Sequence, residues 1–134
     1  MNIRDTLKQC GAEKFQKQIR EAGGIYTTEE VSEFLGIPPN AVQKRLEQGC
    51  LLAVPFENNY GYPIWQFDKK DVVDHFSEIM AILNTSLPIG ITQFFLTYDE
   101  DLESTPIEAL KSCDPNQLEI VKLLAQQFYQ QVAR

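Results

Sequence analysis

A chain of 134 residues, 43% of them hydrophobic, has the length of one domain or of two very small ones sharing a core, and is too apolar for wholesale disorder. Its formal net charge of −7 argues against tight DNA binding by a monomer, because phosphate contacts dominate DNA affinity. The longest apolar runs are as short as Phe94-Phe95-Leu96, and Met1-Asn2-Ile3-Arg4-Asp5 leads straight into mixed polar sequence, so neither a membrane span nor a signal peptide is expected and the protein is expected in the cytoplasm.

Residues 1–23 read as an N-terminal amphipathic helix. Ile3, Leu7, Cys10, Phe15, Ile19 and Ala22 fall on one face, and Gly23-Gly24 stops it. Thr27-Thr28-Glu29-Glu30 is a capping box, opening a helix that presents Val31, Phe34 and Leu35 and ends at Gly36. Pro38-Pro39 suits the start of a second helix, with Val42 and Leu46 inward and an end at Gly49. Short helix, glycine-containing turn, short helix is the spacing of a helix-turn-helix.

Leu51 to Phe56 reads as a strand, Asn58-Asn59-Tyr60-Gly61 as a turn, and Tyr62 to Phe67 as the returning strand. A hairpin directly behind a second helix is a wing, so residues 24–70 resemble a winged helix-turn-helix of the MerR-like or excisionase-like sort. From Asp71 the strands are expected to stop. Residues 71–134 then supply four helices: a stripe from Val72 to Leu83, Pro88 to Leu96, a short helix capped by Ser104-Thr105-Pro106, and a last one from Asp114-Pro115 with Leu118, Val121, Leu124, Ala125, Phe128 and Val132 inward. The expected fold class is mostly α with a small β-hairpin: a winged helix-turn-helix followed by a small α-helical bundle.

Charge is unevenly spread. Residues 1–23 carry +2, residues 24–70 carry −2 and residues 71–134 carry −7. Acid at the C-terminal end is by default a solvated face. It can also steer a basic protein partner toward the bundle.

"GYPIWQFD", then "FFLTYDEDLESTPIEALK", then a closing amphipathic helix occur in that order. Together they resemble bacterial antitoxins with the Xre/MbcA/ParS toxin-binding domain. The matching positions are Pro63, Trp65, Gln66 and Phe67, then Phe95 and Leu96, then Leu102, Pro106 and Leu110. The resemblance implies a regulator that represses its own operon and neutralises a partner toxin with a RES domain, which consumes NAD.

On this reading the DNA-facing residues are Thr28 at the start of the first helix, Asn40, Gln43, Lys44 and Arg45 on the second, and Asn58, Asn59 and Tyr60 at the wing tip. Asn and Gln can read adenine edges, and Lys can take phosphate or guanine. The bland counterpart is an ordinary solvated helix beside a good hairpin turn. The expected partners are a double-stranded DNA operator, bound by a homodimer, and a protein, the toxin. The toxin surface is expected around Gln126, Gln127, Tyr129 and Gln130 on the last helix. The alternative is an adaptor that does not bind DNA and uses the winged helix as a protein-binding surface.

Trp65 is expected in the core between wing and bundle, its indole N–H needing one partner. Asp99 to Glu103 lacks the glycine of a calcium loop. Cys10, Cys50, Cys113 and His75 show no zinc-ligand spacing. No nucleophile–base pair and no phosphate loop is apparent. Neither an enzyme nor a cofactor is expected.

Overall fold

The computed structural model describes residues 13–56, 59–69, 71–83 and 87–132. Helical backbone over 13–21, here α1, ends where the Gly24 N–H reaches back to the Ile19 carbonyl at 2.9 Å. Phe15 and Ile19 are buried while Lys14, Lys17 and Arg20 face outward, as the apolar spacing requires. The expected start of this helix and Cys10 lie outside the described residues.

A two-residue strand, β1 (Ile25–Tyr26), leads into α2 (Thr28–Leu35). The capping box at its start is complete. The Thr27 hydroxyl accepts from the Glu30 N–H at 3.2 Å, and the Glu30 carboxylate accepts from the Thr27 N–H at 3.1 Å. Gly36 closes α2 at φ 69°, a left-handed position that costs a residue with a Cβ more than it costs glycine. Pro38 then caps and Pro39 begins α3 (Pro39–Glu47).

After α3 the chain forms β2 (Val54–Phe56) and β3 (Asn59–Pro63), and the sheet order is β1-β3-β2, antiparallel throughout. The hairpin register corrects the sequence reading. Phe56 pairs with Asn59 and Pro55 with Tyr60, so Asn59, Tyr60 and Gly61 belong to β3 and not to a turn. The reason is tertiary. A Cβ on Gly61 would stand 2.8 Å from the Ile25 Cβ, so the glycine is needed for the close passage of β1, and its turn propensity is overridden.

The returning strand is also shorter than expected. Ile64 to Gln66 turn as a 3-10 helix, β4 (Phe67–Asp68) follows, and β5 (Asp71–Val72) pairs with it. The strands therefore do not stop at Asp71. Lys69 takes φ 53°, and His75 takes φ 67°. That left-handed residue breaks the Val72–Phe76 stripe, so α4 (Phe76–Leu83) starts later than periodicity implied. The remaining helices are α5 (Pro88–Leu96), α6 (Pro106–Lys111) with Thr105 as its cap, and α7 (Pro115–Val132).

Two clusters hold these elements. The smaller one has Val31, Val42, Leu51, Tyr62 and Phe67 at its centre, and the tilted rings of Tyr26, Phe34 and Phe67 lie 5.3 to 5.9 Å apart. It fixes α2 and α3 to the sheet. The larger one joins α4, α5, α6 and α7 to Phe15 and Ile19 of α1, to Leu52 and Val54, and to Trp65. Residues 71–132 thus do not close a core by themselves; five buried residues come from before position 70.

Trp65 is 4% exposed and lies against Phe76 and Phe95, at centroid distances of 5.9 and 5.6 Å, and so joins the segment after β3 to α4 and α5. Its indole N–H has no hydrogen-bond partner among the described residues, which departs from the expected single partner. Gln66 beside it is fully buried. It accepts from the Leu52 N–H at 2.9 Å and donates to the Leu52 carbonyl at 2.8 Å and the Pro63 carbonyl at 3.1 Å. Burying a primary amide is tolerable when its bonds are made, as they are here. No helix among the described residues is long and apolar enough to cross a membrane.

Candidate functional site

The outer face of α3 is built by its inner one. Val42 is fully buried and Leu46 partly so, which turns Asn40, Gln43, Lys44 and Glu47 toward solvent one turn apart along a single stripe. The proline start leaves the α3 N-terminus with no side-chain cap. The stripe carries donors and acceptors but no net charge, since Lys44 is offset by Glu47.

Arg45 is not on that stripe. It is half-buried at the flank of α3, and its guanidinium lies 3.9 Å from the Asp71 carboxylate on β5. Thr28 is the first residue of α2 and half-buried. Tyr60 is 71% exposed, but on the body of β3 opposite Pro55, so it is not a tip residue. Asn59 also lies in β3, and its side chain and the whole of Asn58 lie outside the described residues. Of the eight residues expected to face DNA, Asn40, Gln43 and Lys44 share the outer stripe of α3, Arg45 lies at its flank, and Thr28 and Tyr60 belong to α2 and β3.

The expected partner residues also divide. Gln126, Tyr129 and Gln130 are exposed on one face of α7. Gln127 instead lines a cleft of about 600 Å³ between α1, α5 and α7. The cleft has a floor of Phe94, Leu124 and Phe128 and a rim that includes Gln18, Gln93 and Tyr98. Phe94 and Phe128 meet at 5.6 Å with their planes tilted by 59°. Sequence reading did not find Gln18, Gln93 or Tyr98. The one signal was Tyr98, a large aromatic at the head of an acidic loop, where no core position was expected.

Electrostatically the bundle is tied across one seam. Lys122 of α7 lies 3.4 Å from Glu78 of α4 and 3.8 Å from Glu119, and His75 lies 3.6 Å from Glu78. Lys122 holds the Glu78 carboxyl below the usual carboxylate range by hydrogen bonding and attraction, with a smaller contribution from His75. Among the described residues no group of three His, Cys, Asp or Glu side chains is placed to hold a metal ion. Cys50 is half-buried and Cys113 exposed, both as free thiols.

No family model matches the chain. No curated protein matches it either. Among solved structures the fold is similar to the NMR structure of Rv2175c, with a TM-score of 0.66 and 22% sequence identity over 78% of this chain and 80% of that one. At that identity the likeness is one of fold: mostly helical, with small antiparallel sheets.

Proposed function

We propose that this chain is a DNA-binding transcriptional regulator of the winged helix-turn-helix type whose helical part takes a protein partner, acting as an antitoxin that represses its own operon. The observation that carries the DNA-binding part is the α3 stripe. Asn40, Gln43 and Lys44 stand uncovered on a helix whose opposite side is locked by Val42 into a cluster of its own. A short rigid helix with exposed amides and one lysine, followed by a hairpin, suits a major groove that presents distinct donor and acceptor patterns. With no net charge on the stripe, a single module would bind weakly, so the reading includes a homodimer on two half-sites about one helical turn apart. The RES-type toxin rests on the resemblance of the Trp65-Gln66-Phe67 and Leu102–Leu110 segments.

The deciding experiment is fluorescence anisotropy with duplex DNA from upstream of the gene. Binding that weakens with salt and is lost in a Gln43→Ala/Lys44→Ala variant supports the reading. Equal binding by parent and variant would assign any DNA affinity to another surface.

A second reading, an adaptor that uses the winged helix to hold protein, is favoured by one observation. Glu47 shares the stripe with Lys44, and Arg45 is engaged with Asp71, which leaves the face amide-rich and uncharged. Absence of DNA binding at low salt, together with partner capture that depends on Gln43, would select it.

A further inference from the structure

We propose that the cleft between α1, α5 and α7 docks a protein segment carrying an aromatic or aliphatic anchor with basic residues on one side of it. This rests on the reading of the helical part as protein-binding, and it names both the place and the chemistry of the occupant.

The floor supplies the anchor site. Phe94 is 7% exposed, Leu124 and Phe128 are half-buried, and together they form an apolar base within about 600 Å³. Most of the rim is amide and adaptable: Gln18, Gln93 and Gln127 come from three different helices. Apolar surface continues beyond the cleft, since Tyr98 is 62% exposed at its edge and Leu123, one turn before Gln127, is 58% exposed. An apolar centre inside a polar rim is the anatomy of a protein interface.

Charge decides the kind of partner. Among the described residues no lysine or arginine lines the cleft, so nothing described there matches a phosphate. Asp99 lines it, and Glu100, Asp101 and Glu103 follow directly in the same exposed loop. The two described bases of α4 to α7 are already engaged. Lys111 lies 4.0 Å from Glu108, and Lys122 is held by Glu78 and Glu119. On α1, Lys14 and Lys17 stand near Gln18, Lys17 paired with Glu21 at 3.9 Å, so the acid prevails at the loop end of the cleft. The basic residues of the occupant therefore point toward Asp99–Glu103, and its anchor lies toward α7. Complementary charge of this kind sets orientation and speeds encounter.

Peptide display against the immobilised full-length chain tests this. The expected result is enrichment of short peptides that combine one aromatic or large aliphatic residue with lysine or arginine. Their affinity should fall about tenfold or more in Tyr98→Ala and in Gln127→Lys, each checked for folding by circular dichroism. Asn116→Lys, about three turns earlier on α7, should bind as the parent does. Enrichment of peptides without basic residues, or no enrichment, overturns the proposal. So does sensitivity to Gln126→Lys and Tyr129→Ala with none to Tyr98→Ala; that outcome moves docking to the other face of α7 and leaves the helical part as the partner-binding part. Sensitivity to Gln43→Ala instead would remove the helical part from partner binding altogether. A dimer of the parent that Tyr98→Ala converts to monomer in sedimentation would assign the cleft to a second copy and likewise overturn the proposal.

Discussion

The carboxamide of Gln66 closes on the main chain of Leu52 with both of its ends, so a side chain does at this point what a strand partner does elsewhere. The bond pair spans the junction between the sheet and the larger cluster, where Leu52 and Trp65 are both buried. Gln66→Leu should cost about 3 kcal/mol, since it leaves the Leu52 N–H, the Leu52 carbonyl and the Pro63 carbonyl unpaired, at about 1–3 kcal/mol for each group that finds no water. Gln66→Glu should also destabilise, because a carboxylate cannot donate to Leu52. Urea denaturation measures both, and parental stability in the leucine variant would show that these backbone groups are not buried in solution.

Trp65→Ala should cost about 3–5 kcal/mol, the usual range for truncating a large buried aromatic. Trp65→Phe should cost distinctly less. It keeps a ring against Phe76 and Phe95 and removes an indole N–H that has no partner among the described residues. A thermal melt comparing the two variants checks the order.

Gly61→Ala should destabilise by about 1–3 kcal/mol, the typical cost of forcing an extra carbon into a packed position. The obstacle is Ile25, so Ile25→Ala should restore part of that loss in the double variant. Additive losses in the double-mutant cycle would show that the two positions do not meet.

Asp71→Asn should strengthen DNA binding if α3 faces DNA, because it releases Arg45 from a carboxylate 3.9 Å away. One further phosphate contact should steepen the dependence of log affinity on log salt by about 0.9. An unchanged slope with unchanged affinity would mean that Arg45 does not reach the duplex.

The seam between α4 and α7 predicts a pH dependence. Glu78 has its pKa lowered in the folded state by Lys122 and then His75, so its stabilising contribution is present above the ordinary carboxylate range and is lost as pH falls through the lowered value. The pair is largely exposed, so the effect is small. Lys122→Gln should lower the denaturation midpoint slightly at neutral pH, and the gap from the parent should close in acid. A gap that stays constant down to low pH would place the cause in packing.

Local chemistry announced much of this fold. Thr27 with Glu30, Gly36, Pro39, Pro88 and Pro106 each act through neighbours in the chain, and each stands where sequence placed it. What escaped was decided at a distance. Asn59-Tyr60-Gly61 has good turn chemistry, yet Ile25, far upstream, draws Gly61 into a strand. Val72 and Val73 are in phase with the α4 stripe, but Phe67 takes Val72 into a ladder and His75 breaks the phase. The α3 stripe was legible because it is the complement of one apolar face. The cleft was not, since its rim comes from helices more than 100 residues apart at the extremes, Gln18 and Gln127.

The membership of the larger cluster also has a temporal side. The smaller cluster draws only on residues between Tyr26 and Val72, so it can condense as soon as that stretch has left the ribosome. The larger one cannot, because Phe15, Ile19 and Trp65 wait for Phe95, Val121 and Ala125. During synthesis the chain therefore passes through a stage in which the α3 stripe is already formed while the apolar surfaces of α1 and Trp65 stay uncovered. Until α7 arrives, the nascent protein leaves the apolar faces of α1 and Trp65 open to chaperones and proteases.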